Sequence, residues 1–222
     1  MTRVVVKVGG AVAGRSAHAV LELARVDEVC VVHGAGPQIS LEMERAGIAV
    51  EFVGGRRVTT AEGLEVVRRS FAAVNDALCS AIGERAVSLF GDRIGLEADP
   101  VPELGLVGEA RPSELPAITE VLESGRIPVV APIATGPLNV NADSAAAAIA
   151  TGIGADQLLF LTDVDGLILG GEVVERIDVA AAEELMASGA LEGGIIPKLG
   201  AAVTAARRGV PAFIGQTEVP PA

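Results

Sequence analysis

Tryptophan and tyrosine are absent from this chain, and phenylalanine occurs five times in 222 residues. Single-stranded nucleic acids are held largely on aromatic stacking platforms, so the composition argues against that class of ligand. A formal net charge of −12 argues equally against duplex nucleic acid and anionic membrane surfaces, which need a basic face. Any anionic ligand must then be held by a local pocket rather than a global field. The two cysteines, Cys30 and Cys79, have no paired-motif spacing and read as small buried hydrophobes in a reducing compartment. No stretch approaches the roughly 18 uninterrupted apolar residues of a membrane-spanning helix, and no signal-peptide pattern precedes the first strand-like run. The expected setting is cytoplasmic, with no membrane and no nucleic acid as partner.

Lysine is scarce as well. Lys7 and Lys198 stand against fifteen arginines, and both lie beside glycines in loop-forming sequence. An ammonium differs from a guanidinium in being a compact, mobile point charge suited to a phosphate oxygen. A proteome biased toward arginine leaves stray lysines too, but strays fall more often on exposed helix faces.

What is present is alternation. Short apolar runs rich in β-branched residues at 3–8, 28–33, 85–90, 127–131, 157–162 and 211–214 alternate with helical patterns. These patterns fall at 17–26, 37–46, 60–82, 113–123, 142–152, 179–187 and 195–208. That order predicts an α/β protein with a mainly parallel central sheet flanked by helices. The longest helix carries Leu64, Val67, Phe71, Val74 and Leu78 as one apolar stripe, enough to cover a home sheet or to meet a second subunit. Residues 91–110, broken by Gly, Pro, Asp and Glu, read as a small β excursion near the sheet edge, with strand-like pieces at 94–97 and 106–107. Residues 166–174 read as a hairpin turning at Gly170-Gly171.

Strand 1 runs directly into Gly9-Gly10, and strand 2 ends at His33-Gly34-Ala35-Gly36 before a helix at Pro37. Parallel sheets bind ligands at the carboxyl ends of their strands, where helix N-termini expose N–H groups. Neither a P-loop nor a dinucleotide fingerprint is present. Asn139-Val140-Asn141-Ala142-Asp143 opens the alanine-rich helix. Asn141 reads as its N-cap, whereas Asp143 could hold two ammonium groups at a fixed separation. Leu161-Thr162-Asp163-Val164-Asp165-Gly166 is a further strand exit, and Gly54-Gly55-Arg56-Arg57 places an arginine where a carboxylate could be gripped.

Taken in order, Lys7-Val8-Gly9-Gly10, His33-Gly34-Ala35-Gly36-Pro37-Gln38, Arg57-Val58-Thr59, Asn139–Asp143, Leu161–Gly166 and Gly193-Gly194-Ile195-Ile196-Pro197-Lys198 resemble the amino acid kinase family. Within it the acetylglutamate kinases are most similar. The resemblance covers nearly the whole chain and implies a three-layer α/β/α sandwich, usually a homodimer built around the helix at 60–82. It implies a single domain over 1–222, with an N-terminal lobe of about 1–150 for the phosphoryl acceptor and a C-terminal lobe of about 151–222 for ATP. The implied reaction transfers the ATP γ-phosphoryl group to the side-chain carboxylate of N-acetyl-L-glutamate, a step of arginine biosynthesis.

By the same resemblance, Lys7 and Lys198 are the catalytic cations and Asp143 orients both. Gly34, Ala35, Gly36, Arg57 and Asn139 are implied to bind the acceptor, with the glycines donating backbone N–H groups. Gly9, Gly10, Asp163, Val164, Asp165, Gly166, Leu167, Ile168 and Gly194 are implied to line the nucleotide site. No protein metal site is implied, Mg²⁺ being held mainly by the phosphates. Ala35 stands where the family prefers glycine; its Cβ is costly if φ is positive and would crowd the acceptor. The chain stops at 216–222, without the family's usual longer C-terminal segment that completes the sheet and part of the nucleotide side, and the lack of an extension before strand 1 leads to the expectation of a dimer without arginine feedback. Two rival expectations remain: a kinase acting on aminoadipate or glutamate linked to an acidic carrier protein, docking through Arg56, Arg57, Arg68 and Arg69, and a non-catalytic nucleotide- or amino-acid-binding regulator.

Overall fold

The computed structural model describes residues 1–9, 13–162 and 164–222; Gly10 and Asp163 lie outside the described residues. Strands β1 (Arg3–Val8), β2 (Glu28–His33), β5 (Ala86–Phe90), β8 (Ile127–Ala131), β11 (Gln157–Leu161), β14 (Ala212–Ile214) and β15 (Thr217–Val219) form one sheet. Their order is β15-β14-β11-β1-β2-β8-β5, and every pairing is parallel except β14 with β15. The chain passes from β1 to β2 on one side and places β11 on the other, so β1 marks the topological switch point where such sheets bind ligands.

Both faces of this sheet are covered, which is why its central strands read as continuous apolar runs. Side chains nevertheless alternate. Val4, Val6, Val8, Val29 and Val31 belong to a core shared with α1 (Ala13–Leu23), α2 (Gly36–Arg45) and α3 (Ala61–Ile82). Val5, Cys30, Val32, Leu158 and Phe160 belong to the opposite core, with α5 (Pro116–Glu123), α6 (Ala142–Gly152), α7 (Val179–Ala187) and α8 (Ile195–Ala206). The result is a three-layer α/β/α sandwich. The same period of two fixes Lys7 on the α6/α8 face and His33 on the α3 face.

Helix α3 starts where Thr60 Oγ1 accepts from the Gly63 N–H at 3.0 Å. Its stripe residues Leu64, Val67, Phe71, Val74 and Leu78 are all buried against the home sheet. Burial of each such side chain contributes roughly 1.5–3 kcal/mol. None of the stripe is left over for a second subunit.

The excursion at 91–110 departs from expectation. The strand-like piece expected at 94–97 does not form: Gly91–Ile94 is a single helical turn, α4, and residues 95–97 lead from it to a strand at Ala98–Pro100, because a short apolar run has no decisive period. The segment does not extend the main sheet. It builds a second sheet, β6-β7-β10-β9, from Ala98–Pro100, Val107–Ala110, Leu138–Val140 and Ile133–Ala134. Asn139 therefore sits on a strand, paired with Val107 and Ile133, rather than in a helix lead-in. Two hairpins, β3–β4 (Phe52–Val53, Arg56–Arg57) and β12–β13 (Ile168–Leu169, Glu172–Val173), turn on glycine pairs with positive φ.

The closing turn between β14 and β15 went unseen in the sequence. Gly215 there has φ +56, and a Cβ on it would meet the Asp165 carbonyl oxygen at 2.4 Å. Gly215→Ala is expected to destabilise the chain by roughly 2 kcal/mol or more, through left-handed backbone strain and that clash. Denaturant unfolding measures it; an unchanged midpoint would contradict the tight approach.

Candidate active site

The carboxyl ends of β1 and β2, the N-termini of α2 and α6, the β3–β4 hairpin and β10 enclose a cavity of about 370 Å³. Lys7, Gly9, Gly34, Gly36, Arg57, Asn139 and Asp143 contribute to its walls. Lys7 enters from β1 and Asp143 from the first turn of α6, and the two meet with Nζ 2.7 Å from Oδ1. Both are almost fully buried, at 7% and 5% exposure. On the far side of the carboxylate, Lys198 from α8 places Nζ 3.9 Å from Oδ2 while donating to the Gly194 carbonyl at 3.2 Å. One carboxylate thus stands between two ammonium groups contributed by residues 191 positions apart in sequence. Asn141 caps α6, its Oδ1 accepting from the N–H groups of Asp143 and Ser144 at 2.8 and 3.2 Å. The cap fixes the first turn and hence the direction of the Asp143 side chain.

At the opposite wall, Arg57 is buried and its guanidinium is clamped. It donates to the Gly36 carbonyl at 3.1 Å and to Ser40 Oγ at 2.8 Å, and lies 4.6 Å over the Phe52 ring. Burial draws its pKa down, but an arginine stays cationic under any such shift. Asn139 donates to Thr59 Oγ1 at 3.0 Å, and Thr59 in turn donates to the Arg57 carbonyl at 3.0 Å. Thr59 and Ser40 are therefore the groups that orient Arg57 and Asn139. Neither was singled out from sequence, although Thr59 belongs to the Arg57-Val58-Thr59 motif.

Several expected roles are corrected by the hydrogen bonding. The N–H of Gly34 is committed to the Val8 carbonyl at 2.9 Å, so Gly34 is no free anion donor. Ala35 has φ −145, so alanine adopts its conformation without left-handed strain. Leu167 is buried in the core. Its N–H donates to Thr217 Oγ1 and its carbonyl accepts from Val174, which leaves it nothing to offer a nucleotide. Val164 and Ile168 are exposed near the β14–β15 turn, while Gly194 caps α8. The arginine patch envisaged for carrier docking is largely neutralised: Arg56 pairs with Glu109, Arg68 pairs with Asp92, and Arg57 faces the cavity.

Residues 2–216 match the sequence profile described as the amino acid kinase family. The chain belongs to that family. It is 44% identical to an acetylglutamate kinase of Rubrobacter xylanophilus over 96% of this chain and 88% of the relative. It is 41% identical to one of Thermus thermophilus over 93% and 87%. Among solved structures, smu.665 from Streptococcus mutans superposes with a TM-score of 0.85 at 26% identity, over 99% of this chain and 98% of that one. As a kinase, the chain uses ATP as phosphoryl donor. Among the described residues, no helix is long and apolar enough to cross a membrane.

The kinase site borders an unusual histidine. His33 is fully buried, and burial pushes its imidazole down to about 4, a backbone hydrogen bond of Gly34 offsetting part of the effect. The unfolded chain takes this proton near 6.5, whereas the folded chain resists it. The neutral ring's contribution is therefore complete above about pH 6.5 and is lost as pH falls toward 4, to a total of about 3 kcal/mol. Unfolding free energies measured across that window should fall, and should fall less in a His33→Asn chain. Equal slopes would show that His33 is not the group responsible. Cys30, also fully buried, is pushed up to about 12 and has no thiolate chemistry near neutral pH.

Proposed function

We propose that this chain transfers the γ-phosphoryl group of ATP to the side-chain carboxylate of N-acetyl-L-glutamate, giving N-acetyl-L-glutamyl 5-phosphate, the second step of arginine biosynthesis. The observation that carries this reading is the Lys7–Asp143–Lys198 line beside a small-metabolite cavity whose other wall bears Arg57 and Asn139. The acetylglutamate kinases among its relatives support the choice of acceptor. Arg57 is assigned to the α-carboxylate and Asn139 to the acetamido end, which leaves the side-chain carboxylate directed at Lys7. That carboxylate is already ionised at neutral pH, so no general base is needed. One of its oxygens attacks the γ-phosphorus as the bond to the β,γ-bridging oxygen breaks, and ADP leaves with that oxygen's electrons. Lys7 and Lys198 neutralise the transferring group from two sides, and Asp143 sets their separation.

Residues 1–150 are assigned to the acceptor and 151–222 to the nucleotide, with Gly9, Val164, Asp165, Gly166, Ile168 and Gly194 on the nucleotide side. A Mg²⁺ ion is assigned to the nucleotide phosphates, where it would add positive charge. A cytoplasmic homodimer belongs to the same proposal; it would use the outer face of α3, around Ala73 and Ala77, since the apolar stripe is taken at home.

The test is ATP turnover with N-acetyl-L-glutamate, trapping the acyl phosphate with hydroxylamine, beside glutamate and N-acetylaminoadipate. Hydroxamate from N-acetyl-L-glutamate alone is the expected result. Product only with a carrier-linked substrate, or nucleotide binding without product, would replace this reading by the carrier-protein kinase or the regulator.

A further inference from the structure

Beyond β11 the chain leaves the main sheet and forms β12–β13, whose two strands pair with each other and with no other strand among the described residues. A lone two-stranded hairpin is marginal in water, so its place depends on how its two ends are anchored. Both ends are anchored on the β14–β15 hairpin. At the exit, the Glu218 N–H donates to the Glu175 carbonyl at 2.8 Å, and the Ile177 N–H donates to the Glu218 carbonyl at 3.0 Å. At the entry, the Gln216 N–H donates to the Asp165 carbonyl at 2.7 Å, and the Leu167 N–H donates to Thr217 Oγ1 at 2.8 Å.

Three of these four bonds join main chain to main chain, and many sequences could make them. The fourth needs a hydroxyl at 217. Thr217 is fully buried and Leu167 is buried with it. An N–H at that depth has no water to turn to, so removal of the oxygen leaves it unpaired. The fit is close as well: a Cβ on Gly166 would meet Thr217 Oγ1 at 2.6 Å and Val173 Cγ1 at 3.0 Å. Glycine at 166 therefore lets the loop backbone come down onto this oxygen. The bond falls between two exposed apolar residues, Val164 and Ile168.

The location gives the anchor a use. Phe160 pairs with Ile214 in parallel strands, so the loop after β11 and the turn after β14 both lie at the carboxyl edge of the sheet, where ligands bind. Helix α8, which carries Lys198, packs against the same β14. One strand thus supports both the loop and the ammonium assigned to the γ-phosphoryl group.

We propose that Thr217 is a positioning residue for the nucleotide: its buried hydroxyl pins the loop at 164–168 to the β14–β15 turn and so fixes Val164 and Ile168 as the apolar surface under the base of ATP. The proposal rests on the assignment of this loop to the nucleotide side, and not on the choice of acceptor.

ATP binding is measured first, by calorimetry with Mg²⁺ and without any acceptor. Thr217→Val keeps the shape and removes the accepting oxygen, whereas Thr217→Ser keeps the oxygen. Thr217→Val should weaken ATP binding about tenfold, the scale of one lost buried partner, and Thr217→Ser should stay within about twofold. In turnover, KM for ATP should rise in step in the valine chain, with kcat at saturating ATP within about threefold and KM for the acceptor unchanged. Unaltered ATP affinity in a folded Thr217→Val chain would overturn the proposal. So would a serine chain as weak as the valine one, since the hydroxyl would then not be what matters. Amide hydrogen exchange on the unsubstituted chain decides if the valine chain does not fold. ATP should slow exchange in 164–168 and 215–219 together. Slowing in the loop alone would overturn the anchor and leave the nucleotide side standing; slowing in neither segment would overturn both.

Discussion

Asp143→Asn is expected to abolish turnover and also to destabilise the fold by about 3–5 kcal/mol. Asp143 is the carboxylate 2.7 Å from the Lys7 ammonium, and Lys7 is only 7% exposed. Amidation leaves that ammonium buried without its counter-charge. The loss would therefore reflect an unpaired charge rather than the net worth of the pair. A double variant separates the two: Lys7→Met combined with Asp143→Asn removes the stranded charge and should recover most of the stability. It should recover no activity, because Lys7 is assigned to the transferring phosphoryl and Asp143 to setting the separation of the two ammonium groups. Unfolding midpoints and hydroxamate formation on the same preparations test this. Stability lost equally in the single and double variants would mean the pair is not what holds the α6 start against β1.

Lys198→Ala should lower kcat on the order of 10²–10³-fold, the scale of removing one preorganised group from a developing anion. Its effect on stability should be small, because Lys198 is partly exposed and stands 3.9 Å from Asp143. Lys198→Arg should fail to restore activity. A planar guanidinium donates in a fixed fork and is bulkier than the ammonium seated between Asp143 and the Gly194 carbonyl. A Lys198→Arg chain with near-native kcat would show that charge alone suffices there. The contrast between the two substitutions, one costly to both fold and turnover and one to turnover alone, follows from their different burial.

How far these residues could be found in sequence depended on whether their signal was local. Lys7, Asp143 and Lys198 were legible because lysine is rare here and each lies at a glycine-bearing or capped element end. Asn141 was legible as a cap, since capping is a matter of a few successive residues. Asn139 was found and yet given the wrong setting, because its strand exists only through pairing with Val107 and Ile133. Leu167 was misjudged for the same reason: the hairpin beside it is local, but the partners that occupy its backbone, Thr217 and Val174, belong to the tertiary fold.

The sequence by itself determined the α/β alternation, the parallel sheet, most element boundaries and the motifs that mark this chain as a kinase. Those properties follow from hydrophobic period, glycine placement and caps, which act over a few residues. Only the tertiary structure decided that β1's alternation turns Lys7 toward α6 and α8 while β2's turns His33 toward α3. It also decided that the Gly34 N–H is already taken and that the α3 stripe is consumed at home. These are contacts between residues far apart in the chain. Their geometry is fixed by which faces pack together, a choice made collectively by the two cores and by no single segment.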